Sequence, residues 1–157
     1  MSACILPLAP EFQDPPASQN FSPIITDSLP PLGSIVTKVG NVTPMFRVTI
    51  SDPNLGDDLH VRWLADYPPA SSNTRTIQED LTIPHPVNGQ PLHQDVSVPV
   101  DCALETLAPI AQHQVEVVVA DRPFPLQPTG GDLTSVPLPG LSVVGSWTLI
   151  LNCGSSP

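Results

Sequence analysis

The sequence predicts an all-β sandwich of about seven or eight strands, preceded by an extended proline-rich N-terminal arm. Three observations carry this. Apolar and polar residues alternate through most of the chain after Phe21, the period-two pattern of half-buried strands. The 157 residues include 22 prolines, well above the roughly 5% of ordinary proteins, and proline is excluded from helix interiors and central strands alike. No long segment has helical periodicity, so neither a bundle nor a βαβ order fits.

Residues 1–21 read as the arm: Pro7, Pro10, Pro15 and Pro16, then Ser18, Gln19 and Asn20, favour extended polyproline-like conformations. Residues 22–157 read as one domain with enough chain to bury its own core. Ile24 and Ile25 give a first short strand, Pro30-Pro31-Leu32-Gly33 a turn, and residues 34–39 a second strand. In the third, Phe46, Val48 and Ile50 alternate with Arg47, Thr49 and Ser51. The turn Asp52-Pro53-Asn54-Leu55-Gly56-Asp57 follows: proline fixes φ, Asn and Asp bond local backbone, and glycine accepts positive φ. In the fourth strand Leu59, Val61, Trp63 and Ala65 point inward, leaving His60, Arg62, Leu64 and Asp66 to water. After a loop at 68–73, residues 74–83 read as a single strand, and Asn88-Gly89 as a tight primed turn. Val96, Val98 and Val100 lead inward to Cys102. Residues 105–110 form a short helical turn or a crossing loop. Val115, Val117 and Val119 make 114–121 the strongest strand. A connection at 122–145, rich in Pro and Gly, precedes a last strand with Trp147, Leu149, Leu151 and Cys153 on one face. Inward parity predicts that Trp63 and Trp147 are both buried.

The formal net charge is −10, with five Lys and Arg. That excludes a basic nucleic-acid footprint and a polybasic membrane-docking surface. No apolar run is long enough to span a bilayer. The chain has no Gly-x-Ser-x-Gly elbow, phosphate-cradling glycine loop or nucleotide fingerprint. Glu79, Asp80, Glu105 and Glu116 show no spacing that suggests a facing pair of carboxylates. His60, His85, His93 and His113 are scattered without zinc-ligand spacing and read as surface histidines. The chemistry points away from an enzyme. Phe124, Leu126, Leu133, Leu138 and Leu141 make the 122–145 connection too apolar for a solvated linker. Two readings stay open for it: cover for a sheet edge, or contact surface for a partner.

Ser2-Ala3-Cys4 resembles the end of a bacterial lipobox, in which small residues precede the cysteine that becomes lipidated. The resemblance implies a lipid anchor at Cys4, with the proline-rich arm as its tether. The chain then reads as a mature or truncated form, with Met1 added. A free thiol near the start is the alternative.

The run Ile50-Ser51-Asp52-Pro53-Asn54-Leu55-Gly56-Asp57-Asp58-Leu59, leading to Trp63, resembles the acidic turn of bacterial PKD-like and cadherin-like immunoglobulin-fold domains. His113-Gln114-Val115-Glu116-Val117-Val118-Val119-Ala120-Asp121 is similar to their penultimate strand. Leu55 is an insertion relative to that turn, and Asn54 stands where an Asp is usual. The resemblance implies an immunoglobulin-like sandwich in which Cys102 and Cys153 end at one pole and form a disulfide. It also implies that Asp52, Asn54, Asp57 and Asp121 gather at the opposite pole as oxygen ligands for a possible Ca²⁺; no other cofactor is called for. With Cys4 lipidated, the three cysteines make one anchor and one bridge.

These readings converge on a non-catalytic structural or interaction module of the bacterial cell envelope (periplasm or outer membrane) or extracellular space. It would be a lipoprotein or an accessory subunit, with other envelope proteins as partners and membrane contact only through Cys4. The alternative is a ligand-binding domain, for carbohydrate or for calcium-dependent adhesion, using the loops at the acidic pole, with Tyr67 and Phe124 as its sugar-stacking aromatics.

Overall fold

The computed structural model describes residues 20–39, 42–67, 75–104, 112–125, 133–134, 136 and 140–153. Among them nine strands form two facing sheets. They are β1 (Ile24–Leu29), β2 (Ile35–Val39), β3 (Met45–Asp52), β4 (Leu59–Ala65), β5 (Arg75–Thr76), β6 (Leu81–Ile83), β7 (Leu92–Pro99), β8 (Gln112–Ala120) and β9 (Ser142–Asn152). One sheet has the order β1-β3-β7. The other runs β2-β9-β8-β4-β5, with β6 also paired to β4. Every pairing is antiparallel except β2 with β9, which is parallel.

The inward residues of both sheets interleave as the sequence pattern requires. Phe46, Val48 and Ile50 from β3 meet Val61 and Trp63 from β4, Val96 and Val98 from β7, Val115, Val117 and Val119 from β8, and Trp147, Leu149 and Leu151 from β9. Trp63 and Trp147 are both buried. They stack at 5.9 Å between ring centroids, and Phe46 meets Trp147 edge-on at 5.2 Å. With so few aromatics, these three rings fill the centre while Val, Ile and Leu side chains fill most of the rest.

The first part of the domain changes sheets. β1 lies on β3, and after the cis Leu29–Pro30 bond and Gly33, at φ 74°, the chain crosses to lay β2 beside β9. The crossing is pinned by Trp147 Nε1–H donating to Pro30 O at 2.8 Å and Gly33 N–H donating to Ser146 O at 2.8 Å. Gly145 makes the close approach possible. A Cβ there would stand 2.7 Å from Leu32 Cδ2 and 3.0 Å from Ile25 Cδ1.

Two expectations are corrected. The single strand over 74–83 is instead two short strands, β5 and β6. Between them the ladder is interrupted but the chain stays tied to β4: Ile77 N–H donates to Trp63 O, and Asp80 is held by Arg62. The outward side of β4 is not in water either. Leu64 is fully buried and Arg62 nearly so, because chain from the 122–145 connection packs across this face.

Candidate functional site

The sandwich has two poles. At one lie the end of β3, the start of β4, the end of β8 and the starts of β1, β7 and β9; at the other lie the ends of β2, β4, β7 and β9 and the start of β8.

Asp52 ends β3 on the inward parity and is fully buried at the first pole. Its Oδ1 accepts the Asn54 N–H at 2.9 Å, the Asx-type turn its position favours. Its Oδ2 is buried without a hydrogen-bond partner. Burial pushes this carboxyl above the usual carboxylate range; the Asn54 N–H opposes the shift, while the nearby charges of Asp57 and Asp121 add to it. Asn54 turns toward the entering chain. Its Oδ1 accepts Phe21 N–H at 3.0 Å, and its Nδ2 donates to Phe21 O and Asn20 Oδ1, both at 2.7 Å. Asn20 Nδ2 donates in turn to Asp121 Oδ2 at 2.6 Å, and Asp121 Oδ1 accepts Leu141 N–H at 2.8 Å. Asp57 Oδ1 accepts from Arg122 Nη1 at 2.8 Å, and the same nitrogen donates to Asp121 O at 2.6 Å. The hydrogen bond that Arg122 donates to Asp57 is the main cause that holds its guanidinium more firmly protonated. His85 completes the pole, both ring nitrogens buried without partners and its backbone N–H donated to Asp58 Oδ1.

Asp52, Asn54, Asp57 and Asp121 therefore lie in one neighbourhood. Most of their oxygens serve the protein itself: they clamp residues 20–21, hold the chain before β9, and neutralise Arg122. Among the described residues no three His, Cys, Asp or Glu side chains converge as a metal-binding group. Oδ2 of Asp52 is buried and has no hydrogen-bond partner.

At the second pole a disulfide joins Cys102 to Cys153, with Cα atoms 6.0 Å apart. Lys38, on the core side of β2, donates from Nζ to Cys102 Sγ at 2.8 Å. His113 is buried at the start of β8, against the expectation of a surface residue, and its Nδ1 lies 2.9 Å from Asp66 Oδ2. Asp66 has φ 56° and closes the corner from β4 to β8, also accepting Gln114 N–H at Oδ1. A cleft of about 320 Å³ opens beside Cys102, lined by Thr76, Ile77, Pro99, Val100, Asp101 and Leu104 among others.

The third polar feature is Arg62, in the middle of β4 and 7% exposed. It forms a two-pronged pair with Asp80, at 2.8 and 2.6 Å, and donates from Nη1 to Leu133 O at 2.9 Å. Its guanidinium carbon lies 4.3 Å from the Phe124 ring centroid. Phe124 is buried with Leu64, Val118 and Ala120, and Tyr67, Leu133 and Val136 pack against them, so this part of the connection serves as cover. Leu141 is exposed. Cys4, Leu126 and Leu138 lie outside the described residues.

The resemblance of the acidic turn and of the valine-rich strand pointed to Asp52 and Asp121. The roles of Arg62, Lys38 and His113 left one weak signal, a polar residue within an otherwise apolar strand. Comparison with protein-family models and with curated proteins finds no match to the chain.

Proposed function

We propose that the chain is a non-catalytic, immunoglobulin-like structural or interaction module of a bacterial envelope or extracellular surface. It would be anchored through a lipid at Cys4, or built into a larger assembly as an accessory subunit. The observation that carries this reading is the route of the chain. It enters at the acidic pole, with Asn20 and Phe21 hydrogen-bonded into the loops there, and reaches the opposite pole at Cys153. A rigid body traversed from end to end suits a spacer that holds one thing away from another. The order β1-β3-β7 facing β2-β9-β8-β4, with the first part of the chain divided between the sheets, supports an immunoglobulin-like sandwich. The disulfide fits an oxidising compartment. Partners would be other envelope proteins, contacted through the arm and the outward side of the connection near exposed Leu141.

Expression of the native gene in its source organism, followed by fractionation and fatty-acid labelling, tests the reading. Label at Cys4 in the membrane fraction, lost in Cys4→Ser, is the expected result. An unlabelled cytosolic protein with free thiols at Cys102 and Cys153 would overturn it.

A second reading, ligand binding at the acidic pole with calcium, is favoured by one observation: the buried Asp52 Oδ2 without a partner. Oxygen ligation at about 2.3–2.6 Å would satisfy it. Calorimetry with millimolar Ca²⁺ should give heat and a higher melting temperature that Asp52→Asn abolishes; no heat and no shift would reject this reading. The carbohydrate version fares worse, since Phe124 is buried under the connection.

A further inference from the structure

Lys38 is an unexpected occupant of the core side of an edge strand. It is only 6% exposed, stands opposite Leu151 in the β2–β9 register, and directs Nζ at Cys102 Sγ. A disulfide sulfur is a weak acceptor, so the oxidised bridge matches a buried ammonium poorly. A thiolate at the same place would be its natural counter-ion, and adjacent cations lower cysteine pKa values. The other described titratable groups at this pole are committed elsewhere or exposed. Asp66 and His113 are bonded to each other, and exposed Asp101 accepts the Ala103 N–H. The cation is hydrogen-bonded at the Cys102 end of the bridge, which favours that sulfur as the leaving thiolate.

We propose that Cys102–Cys153 is a thiol-exchange site polarised by Lys38, taking a dithiol reductant as co-substrate. The reductant's thiolate attacks Cys153 Sγ and a new S–S bond forms there. The Cys102–Cys153 bond breaks, and its electron pair stays on Cys102 Sγ as a thiolate beside the Lys38 ammonium. The reductant's second thiol, deprotonated, then attacks its own sulfur in the mixed disulfide, and Cys153 leaves as a thiolate that takes up a proton. The reductant ends as its disulfide, and the protein gains two electrons. The better-stabilised thiolate leaves faster, which directs attack to Cys153 and not to Cys102. Partial exposure of Cys153 at the pole gives the incoming thiol its access.

Two measurements on the full chain test this. In Cys4→Ser/Cys153→Ser protein, checked for fold by circular dichroism, the pH profile of iodoacetamide alkylation at Cys102 should have its midpoint about one pH unit or more below the ordinary 8.5 or so. Adding Lys38→Met should return it to that value or above, and Lys38→Arg should keep it low. Equal midpoints with and without the Lys38→Met change would overturn the proposal. Independently of that variant's folding, the Cys4→Ser protein with its bridge intact is equilibrated against dithiothreitol. Lys38→Met should make the bridge about tenfold or more harder to reduce; no change would overturn the proposal. With glutathione, peptide mapping should place the mixed disulfide on Cys153, and its accumulation on Cys102 would reverse the assignment.

Discussion

Asp52 shows how one carboxylate sets a pH dependence. Its folded-state pKa is raised, chiefly by burial, so the native state binds this proton more tightly than the unfolded chain does. The associated stability is fully present below the unfolded pKa and is lost as pH rises through the folded value, so above that range the buried carboxyl is a net cost. Asp52→Asn should therefore raise the melting temperature at pH 7 in chelator-treated buffer. That gain should shrink as pH falls through the acid range. A variant less stable than the parent at pH 7 would contradict this. Arg62 works the other way, as a charge whose neighbours are already in place. Arg62→Ala should cost about 2 kcal/mol through the lost hydrogen bonds and the contact with Phe124. A double-mutant cycle with Phe124→Leu should show coupling, and additivity would mean that the ring contact contributes nothing. At this scale the sequence was only half readable. Asp52 declared itself by its turn. Arg62 looked like a solvated charge, because alternation says which side a residue faces and not what lies on that side.

Among the elements, the long strands β3, β7, β8 and β9 were legible, since one apolar face against a polar one fixes register strongly. β5 and β6 were misread as one strand: residues 74–83 have strand-like composition, yet Arg62 draws Asp80 toward β4 and breaks the run. The outer face of β4 was also misread. Leu64 and Val118 break the alternation, which signals a second buried surface, but only the fold shows that residues 124, 133 and 136 supply the cover. Deletion of residues 126–140, closed by a short glycine linker, should accordingly lower the stability and expose an apolar face that binds hydrophobic dyes. A deletion mutant as stable as the parent would mean that the connection is dispensable cover, leaving partner contact as its use. Gly145→Ala should cost about 1 kcal/mol, because Leu32 and Ile25 must give way at the sheet crossing; a neutral result in thermal melts would show that half-exposed Leu32 simply swings out.

For the whole molecule, the all-β class followed from the sequence pattern, and the two poles from the resemblance to immunoglobulin-fold domains. The placement of the chain's entrance did not, because Asn20 reads as the tail of a polar tether until its bond to Asp121 is seen. Closing the 51-residue span between Cys102 and Cys153 should contribute about 4 kcal/mol on chain-entropy grounds, measurable as the difference in denaturant midpoint between the oxidised and reduced proteins. That bridge also has a mechanical consequence. Traction applied at residue 20 and at residue 153 runs along the strand axes, so the hydrogen bonds of β1 with β3 and of β9 with its neighbours are sheared together, not opened one at a time. Once they yield, the looped residues between the cysteines still cannot lengthen. A single molecule stretched in the absence of reductant should come out about 170 Å shorter than the same molecule stretched after reduction.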